Sequence, residues 1–410
     1  VCARSFYFPL ALSVFLGVSF THKSALADSH GKFELSGFIQ LETRIFSGSR
    51  SFDNQDQSTV SPSLVLEPEF VYEINNGDDR FTVTPFLRGD IHDDNRSHFD
   101  IREASWLHSA DNWDLQVGLS KVFWGTTESR HLVDIINQTD AVEDPDGEDK
   151  LGQPMINGKL FGDFGTVSLF VLPGFRERTF ADDNARLRGS LPIEGDSARY
   201  QSGAKDKHVD FAARWSDSIG DLDIGLSQFI GTGREPRMVK ATSTSGSQVF
   251  QPYYDQIDQF GVDGQYTRDA WLWKLEAITR GGQGMRFFAS VTGFEYTLFQ
   301  ISDTKADLGL LAEYLYDGRD SNAPATSAND DIFVATRLTL NDPADTTALL
   351  GAIIDRRNGE TALSFEAERR IGDRWKAGVE ARWFIHTRSN SFLNSIRNDD
   401  FITFNLSRFF

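Results

Sequence analysis

Phe401-Ile402-Thr403-Phe404-Asn405-Leu406-Ser407-Arg408-Phe409-Phe410 stands at the end of the sequence and reads as a β-strand. Ile402, Phe404, Leu406 and Phe410 fall on one face, and Thr403, Asn405 and Ser407 fall on the other. Period two is the repeat of a pleated strand, whose side chains point alternately to its two faces. Arg408 interrupts the apolar face; either Phe409 supplies the apolar group there, or the long Arg408 stem snorkels to a polar boundary. Working back along the chain, the same alternation returns. Trp375, Ala377, Val379, Ala381, Trp383 and Ile385 oppose Lys376, Gly378, Glu380, Arg382 and His386. Leu308, Leu310, Ala312, Tyr314 and Tyr316 oppose Asp307, Gly309, Leu311, Glu313 and Leu315. Trp271, Trp273, Leu275 and Ala277 oppose Leu272, Lys274 and Glu276, and Val209, Phe211, Ala213 and Trp215 oppose His208, Asp210, Ala212 and Arg214. Near the other end, Phe33, Leu35, Ile39, Leu41 and Ile45 share a face against Glu34, Ser36, Gln40, Glu42 and Arg44.

Such runs predict about 18 strands, with 16 as the other count considered. The expected spans are 32–46, 60–74, 80–91, 98–109, 113–124, 155–163, 166–173, 207–217, 221–231, 255–267, 270–280, 285–299, 305–317, 329–340, 346–356, 359–370, 373–387 and 399–410. The runs quoted above reach the ~9 residues that cross a bilayer when a strand is tilted. Their connections divide by parity. One set is tight and rich in turn-forming Asn, Asp, Gly and Pro: 75–79, 109–112, 162–165, 217–221, 341–345 and 371–373. The other set holds all the long connections, at 47–59, 125–154, 174–206, 232–254, 318–328 and 388–398, beside brief members such as 281–284. A sandwich has no reason to sort loop length by parity, whereas a transmembrane barrel has short periplasmic turns on one rim and longer extracellular loops on the other. Trp113, Trp215, Trp271 and Trp375 each sit beside a tight turn, where an interfacial aromatic girdle belongs. The expected fold is all-β: a single antiparallel up-and-down transmembrane barrel.

Residues 1–27 read as a cleaved signal peptide. Arg4 gives a positive start, Phe6 to Phe20 an apolar stretch too short to span a bilayer as a helix, and Ala25-Leu26-Ala27 a small-x-small cleavage site. Residues 28–410 then form the barrel domain, exported through the periplasm. Cleavage removes Cys2, the only cysteine, and with it thiol catalysis, cysteine-bound metals and disulfides. The chain carries 60 acidic against 41 basic residues, a balance opposed to nucleic-acid binding. A terminal aromatic on such a strand resembles the targeting signal by which outer-membrane barrels are recognised for insertion. That resemblance assigns Phe404, Leu406 and Phe410 to the signal, with Arg408 a departure because an apolar residue usually stands there. Outer-membrane lipid, lipopolysaccharide and the barrel-assembly machinery are the partners such a protein implies.

If the apolar faces meet lipid, charges of both signs line the lumen, among them Glu42, Arg44, Arg80, Arg88, Arg214, Glu276, Glu313, Arg337, Glu366 and Arg382. A closed apolar core could not satisfy so many charges, so the interior should hold water. The connection 125–154 is the distinctive one. Leu132, Val133, Ile135 and Ile136 form a short apolar face able to dock on the wall, followed by the acidic run Glu143-Asp144-Pro145-Asp146-Gly147-Glu148-Asp149. Here the chain resembles the general and substrate-specific bacterial porins, in which the third long loop folds inward and narrows the pore. Trp124-Gly125 followed by Ile136-Asn137-Gln138-Thr139-Asp140 is also similar to a poorly characterised branch of porin-like outer-membrane proteins. The resemblance makes Glu128, Arg130, Asp134 and Asp140 constriction candidates, facing Arg44, Arg80, Arg88, Arg214, Arg337 and Arg382 on the wall. Asp144-x-Asp146-Gly147-x-Asp149 has alternating oxygen ligands but lacks the rest of an EF-hand loop, so no metal and no cofactor is assigned. No nucleophile elbow, His-Glu-x-x-His or phosphate loop is present, and no enzyme is expected. The function expected is passive diffusion of small hydrophilic or charged solutes, through a monomer or a homotrimer. The alternatives are a non-conducting scaffold or adhesin barrel and an outer-membrane hydrolase.

Overall fold

A computed structural model describes residues 31–410 except 327 and 390; the expected signal peptide at 1–27 lies outside the described residues. Strands appear in the order β1 (Lys32–Phe46), β2 (Val60–Ile74), β3 (Asp79–Asp90), β4 (His98–Ser109), β5 (Trp113–Ser120), β6 (Gln153–Gly162), β7 (Gly165–Pro173) and β8 (Arg199–Tyr200). They continue with β9 (Val209–Ile219), β10 (Leu222–Thr232), β11 (Arg237–Thr242), β12 (Gln248–Tyr254), β13 (Gln256–Arg268), β14 (Trp271–Gly282) and β15 (Gly284–Leu298). The last are β16 (Asp307–Asp317), β17 (Asp330–Thr339), β18 (Thr347–Asp355), β19 (Thr361–Ile371), β20 (Trp375–Ile385) and β21 (Phe401–Phe409). Eighteen of them form one antiparallel sheet. It closes because β1 pairs on one side with β2, Lys32 opposite Glu73, and on the other with β21, Phe38 opposite Phe409 and Phe46 opposite Phe401. Closure leaves no unpaired edge, which a bilayer requires because lipid offers backbone groups no hydrogen bonds.

The side chains are arranged inside out relative to a water-soluble barrel. Phe33, Leu35, Leu41, Leu87, Phe211, Leu275 and Leu350 are exposed on the outer face. Glu42, Arg88, Asp210, Glu276 and Glu313, one residue out of phase, are buried within. Trp113, Trp271 and Trp375 stand exposed at the rim of short turns, where Trp271 stacks on Trp273 with centroids 5.4 Å apart. Trp215 joins them by donating its indole N–H to the Phe164 carbonyl at 2.7 Å. Arg408 lies over the Trp375 ring at 5.9 Å, so its charge sits in this belt and its methylenes cover an aromatic face. Phe404 and Leu406 are exposed on the outer face of the final strand, and Phe410 is exposed just past its end.

Several boundaries differ from expectation. The strand expected at 113–124 stops at Ser120 because the chain there turns into the lumen. The turn expected at 217–221 narrows to Gly220 and Asp221, since Ser218 and Ile219 still pair with Asp223 and Leu222. The brief connection near 281–284 is a single residue, Gln283, between Gly282 (φ 101°) and Gly284 (φ 75°), two positions where a side chain would be strained. The long connections carry structure that alternation did not predict. β11 and β12 form a hairpin to which β8 adds in parallel, making a small separate sheet at the loop rim.

Candidate functional site: the inward loop and the lumen

Residues 121–152 fold into the barrel. Asn137 ties the neck of this loop: its side-chain carbonyl accepts from the Val122 N–H at 2.8 Å, and its amide donates to the carbonyls of Ser120 (2.9 Å) and Leu151 (2.8 Å). Beyond the neck Leu132, Val133, Ile135 and Ile136 are 4 % exposed or less. They belong to one apolar cluster with the inward-pointing Phe229, Ile257, Ile278 and Leu315 of the wall, as the apolar run in the sequence suggested.

A segment without helix or strand carries backbone N–H groups that need acceptors. Two wall carboxylates supply them. Glu276 Oε1 accepts from the Thr126 N–H (2.8 Å), the Thr127 N–H (3.0 Å) and the Thr127 hydroxyl (2.7 Å), and its Oε2 accepts from the Val133 N–H (3.2 Å). Glu313 accepts from the N–H groups of Glu128 (2.7 Å) and Ser129 (2.8 Å). Gly125 permits this approach: its φ is 138°, and a Cβ there would stand 2.7 Å from Glu276 Oε1. On the far side Arg234, held by Asp210 at 2.7 Å, donates to the Ile136 carbonyl at 3.0 and 2.9 Å.

The sequence-derived charged residues fall into several groups. Arg88 donates to Glu143 (2.6 Å) and Glu42 (3.0 Å), Arg44 lies 3.6 Å from Asp144, and Arg382 lies 3.4 Å from Asp146 and 2.7 Å from Glu366. These wall arginines therefore meet the acidic run of the loop. Glu128 meets Arg337 at 2.7 Å and Lys274 at 3.5 Å, and Arg130 meets Asp317 at 3.1 Å. Asp134 meets Lys150 at 3.3 Å, and Asp140 meets Arg102 at 2.6 Å and accepts from the Thr179 hydroxyl at 2.6 Å. Arg214 is different: its partner is Asp263 on the wall at 2.6 Å, and it touches the loop only by lying 5.3 Å over the Trp124 ring. Arg80 does not join the lumen set. It is the second residue of β3, beside the turn rim, and is exposed there, with no ion pair to the loop among the described residues.

Burial and partners set the acidity of the loop. Burial would raise the Asp140 carboxyl, but His98 and Arg102 outweigh it and hold the group well below the usual carboxylate range. Glu148 is likewise held low, against burial, by His131. Burial pushes Asp134 up, and burial with the neighbouring Asp144 carboxylate pushes Asp146 well up. Asp144 and Asp146 face arginines and accept from the N–H groups of Asp146 and Glu148, at 3.1 and 3.0 Å.

Around the loop lie three cavities. An outer one of 820 Å³ opens among the long loops and is lined by Arg186, Arg188, Phe250 and others. A middle one of 350 Å³ shares Arg178 and Glu235 with it, and an inner one of 550 Å³ toward the turn rim shares Lys150 with the middle one. Arg102, Arg178, Glu235, Arg280 and Arg319 were not among the candidates. Arg280 continues the Lys274, Glu276, Ile278 face of β14 and was readable by extending that alternation. Arg178, Glu235 and Arg319 sit in loops, where no period assigns a direction.

No protein-family model and no curated protein sequence matches the chain. Among solved structures it is similar to Wzi, a carbohydrate-binding outer-membrane β-barrel involved in group 1 capsule assembly in Escherichia coli. The TM-score is 0.51 at 10% identity, over 90% of this chain and 83% of that one. A loop-deletion mutant of OmpT, an outer-membrane protein of Vibrio cholerae, aligns at 11% identity over 93% of this chain and 100% of that one, with a TM-score of 0.45. A variant of the Rh. blastica porin aligns at 13% identity over 92% and 100%, with a TM-score of 0.43. The fold is that of the outer-membrane β-barrels, a closed antiparallel barrel of 18 strands.

Proposed function

We propose that the chain lies in the bacterial outer membrane, its short turns toward the periplasm, and gives small charged solutes a narrow path around the inward loop. The observation that carries this is the succession of cavities from the loop rim to the turn rim, each sharing lining residues with the next. Their walls hold charges of both signs, which keep water in such spaces. The path is narrow because the loop fills the middle of the lumen and its carboxylates are tied to wall arginines. No catalytic group is part of this reading.

Planar-bilayer recording of the purified barrel tests it. A small, steady, ohmic conductance is expected, well below that of the same barrel lacking the loop. Silence over a wide voltage range would refute the path and leave the second reading, a non-conducting envelope barrel. That second reading draws on the same dense pairing, since Arg88, Arg382 and Arg337 each bridge the loop to the wall.

A further inference from the structure

Glu235 stands where the outer and middle cavities meet, between β10 and β11. Its Oε2 lies 2.8 Å from Arg280 and 3.0 Å from Arg319, and its Oε1 lies 3.6 Å from Arg130. Asp317 is the second carboxylate of the group, 3.1 Å from Arg130 and 2.7 Å from Arg319. Arg178 is the fourth guanidinium. Its Nε is buried without a hydrogen-bond partner, and among the described residues no carboxylate forms an ion pair with it. Four cations thus share two anions. Burial works against the charge of Arg178, and the Glu235 carboxylate that offsets it is already engaged by three other arginines. Arg178 is half-buried where the two cavities meet, so its guanidinium faces the cavity space with no protein carboxylate paired to it among the described residues, and an anion there would complete the arrangement. The other carboxylates of the middle cavity have partners of their own: Asp134 meets Lys150, Glu148 meets His131 and Asp146 meets Arg382, while Asp331, Asp355 and Glu360 accept from backbone N–H groups. Leu132, Ile135, Leu315 and Ile353 make part of the same cavity wall apolar.

We infer that Arg178, with Arg130, Arg280 and Arg319 around Glu235, forms a seat for a small organic anion, its carboxylate on the guanidinium groups and its short aliphatic body against the apolar wall. A guanidinium fork matches a carboxylate in two parallel hydrogen bonds, and the apolar lining separates such a ligand from a bare inorganic ion. The seat extends the reading of a solute path, but binding does not require transit.

Calorimetric titration of the detergent-purified barrel with butyrate, and separately with inorganic phosphate, tests the inference. Saturable butyrate binding is expected, weaker by about tenfold or more in Arg178→Gln and partly kept in Arg178→Lys. Because Arg178 makes no ion pair among the described residues, Arg178→Gln should melt no lower than the parent, which separates loss of a ligand site from loss of fold. Arg80→Gln, at the distant turn rim, should bind as the parent does. Absence of saturable binding, or equal binding by Arg178→Gln, would overturn the seat. Phosphate binding as tight as butyrate would overturn the assignment to an aliphatic carboxylate. A silent bilayer beside intact butyrate binding would sink the path and leave the seat standing.

Discussion

At the scale of single residues, the lumen is organised by carboxylates that serve backbone rather than solute. Glu276 accepts from three N–H groups and a hydroxyl of the inward loop. Glu276→Ala would strand those donors in a dry interior at a cost of roughly 2–5 kcal/mol. The loss falls on loop docking, because the β13–β14–β15 ladders do not use that side chain. Faster proteolytic cutting within 126–149 is therefore expected in a barrel that still runs as folded on unheated gels, with Glu276→Gln milder because one acceptor oxygen remains. An uncut loop in Glu276→Ala would contradict this account. Arg319 and Arg178 make an instructive contrast. Arg319 bridges Glu235 and Asp317, so Arg319→Gln should lower the melting temperature, whereas Arg178→Gln should leave it unchanged or raise it.

At the scale of elements, legibility followed periodicity. All 18 barrel strands were readable because lipid on one side and charge on the other impose period two on every one of them. β20 shows it, where Lys376, Glu380 and Arg382 point in and Trp375 points out. The apolar run Leu132 to Ile136 and the acidic run after it were readable as a loop that docks. Its anchors were not: Glu276 and Glu313 read as pore-wall charges, and their role as backbone acceptors depends on where an aperiodic segment settles. The β11–β12 hairpin was missed because it lies in a loop connection and its residues do not alternate apolar with polar: β11 buries none of its side chains, and the buried Val249, Pro252 and Tyr254 of β12 do not keep a period of two. The docked loop also has a defined acid response. Asp140 and Glu148 have folded values below the ordinary ones. Their stabilisation is fully present above about pH 5 and is lost as pH falls through the lowered values. Asp134 and Asp146 are raised, so their ionisation opposes docking, and acidification relieves it. The two effects together keep the loop docked, or hold it slightly tighter, as pH falls from 7 toward 5, with release only below. Hydrogen exchange of residues 126–149 across that range checks this; release between pH 7 and 5 would contradict it.

At the scale of the whole molecule, net charge is a poor guide to what the barrel admits. The chain carries −19, and taken alone that favours cations. Yet exposed charges at the rims, such as Arg370 with Asp345 and Arg356 with Asp330, are screened over about 8 Å at physiological salt, so they act weakly on an ion inside. Within the lumen most charges are consumed in pairs: Arg88 by Glu42 and Glu143, Arg214 by Asp263, Lys150 by Asp134. What a permeating ion meets is the remainder: around Glu235 the guanidinium groups of Arg130, Arg178, Arg280 and Arg319 exceed the carboxylates of Glu235 and Asp317, while Asp355 and Glu360, which line the same two cavities, set negative charge against them. A conducting barrel should therefore be much less cation-selective than its acidic sequence implies. Reversal potentials in a salt gradient measure this directly. Arg178→Gln should move the reversal potential toward cation preference with little change in conductance, because a side chain of lesser charge leaves the loop and the path width as they were. Arg80→Gln should move it hardly at all. A parent barrel strongly selective for cations, or one whose selectivity ignores position 178, would show that the rims, and not the junction, govern entry.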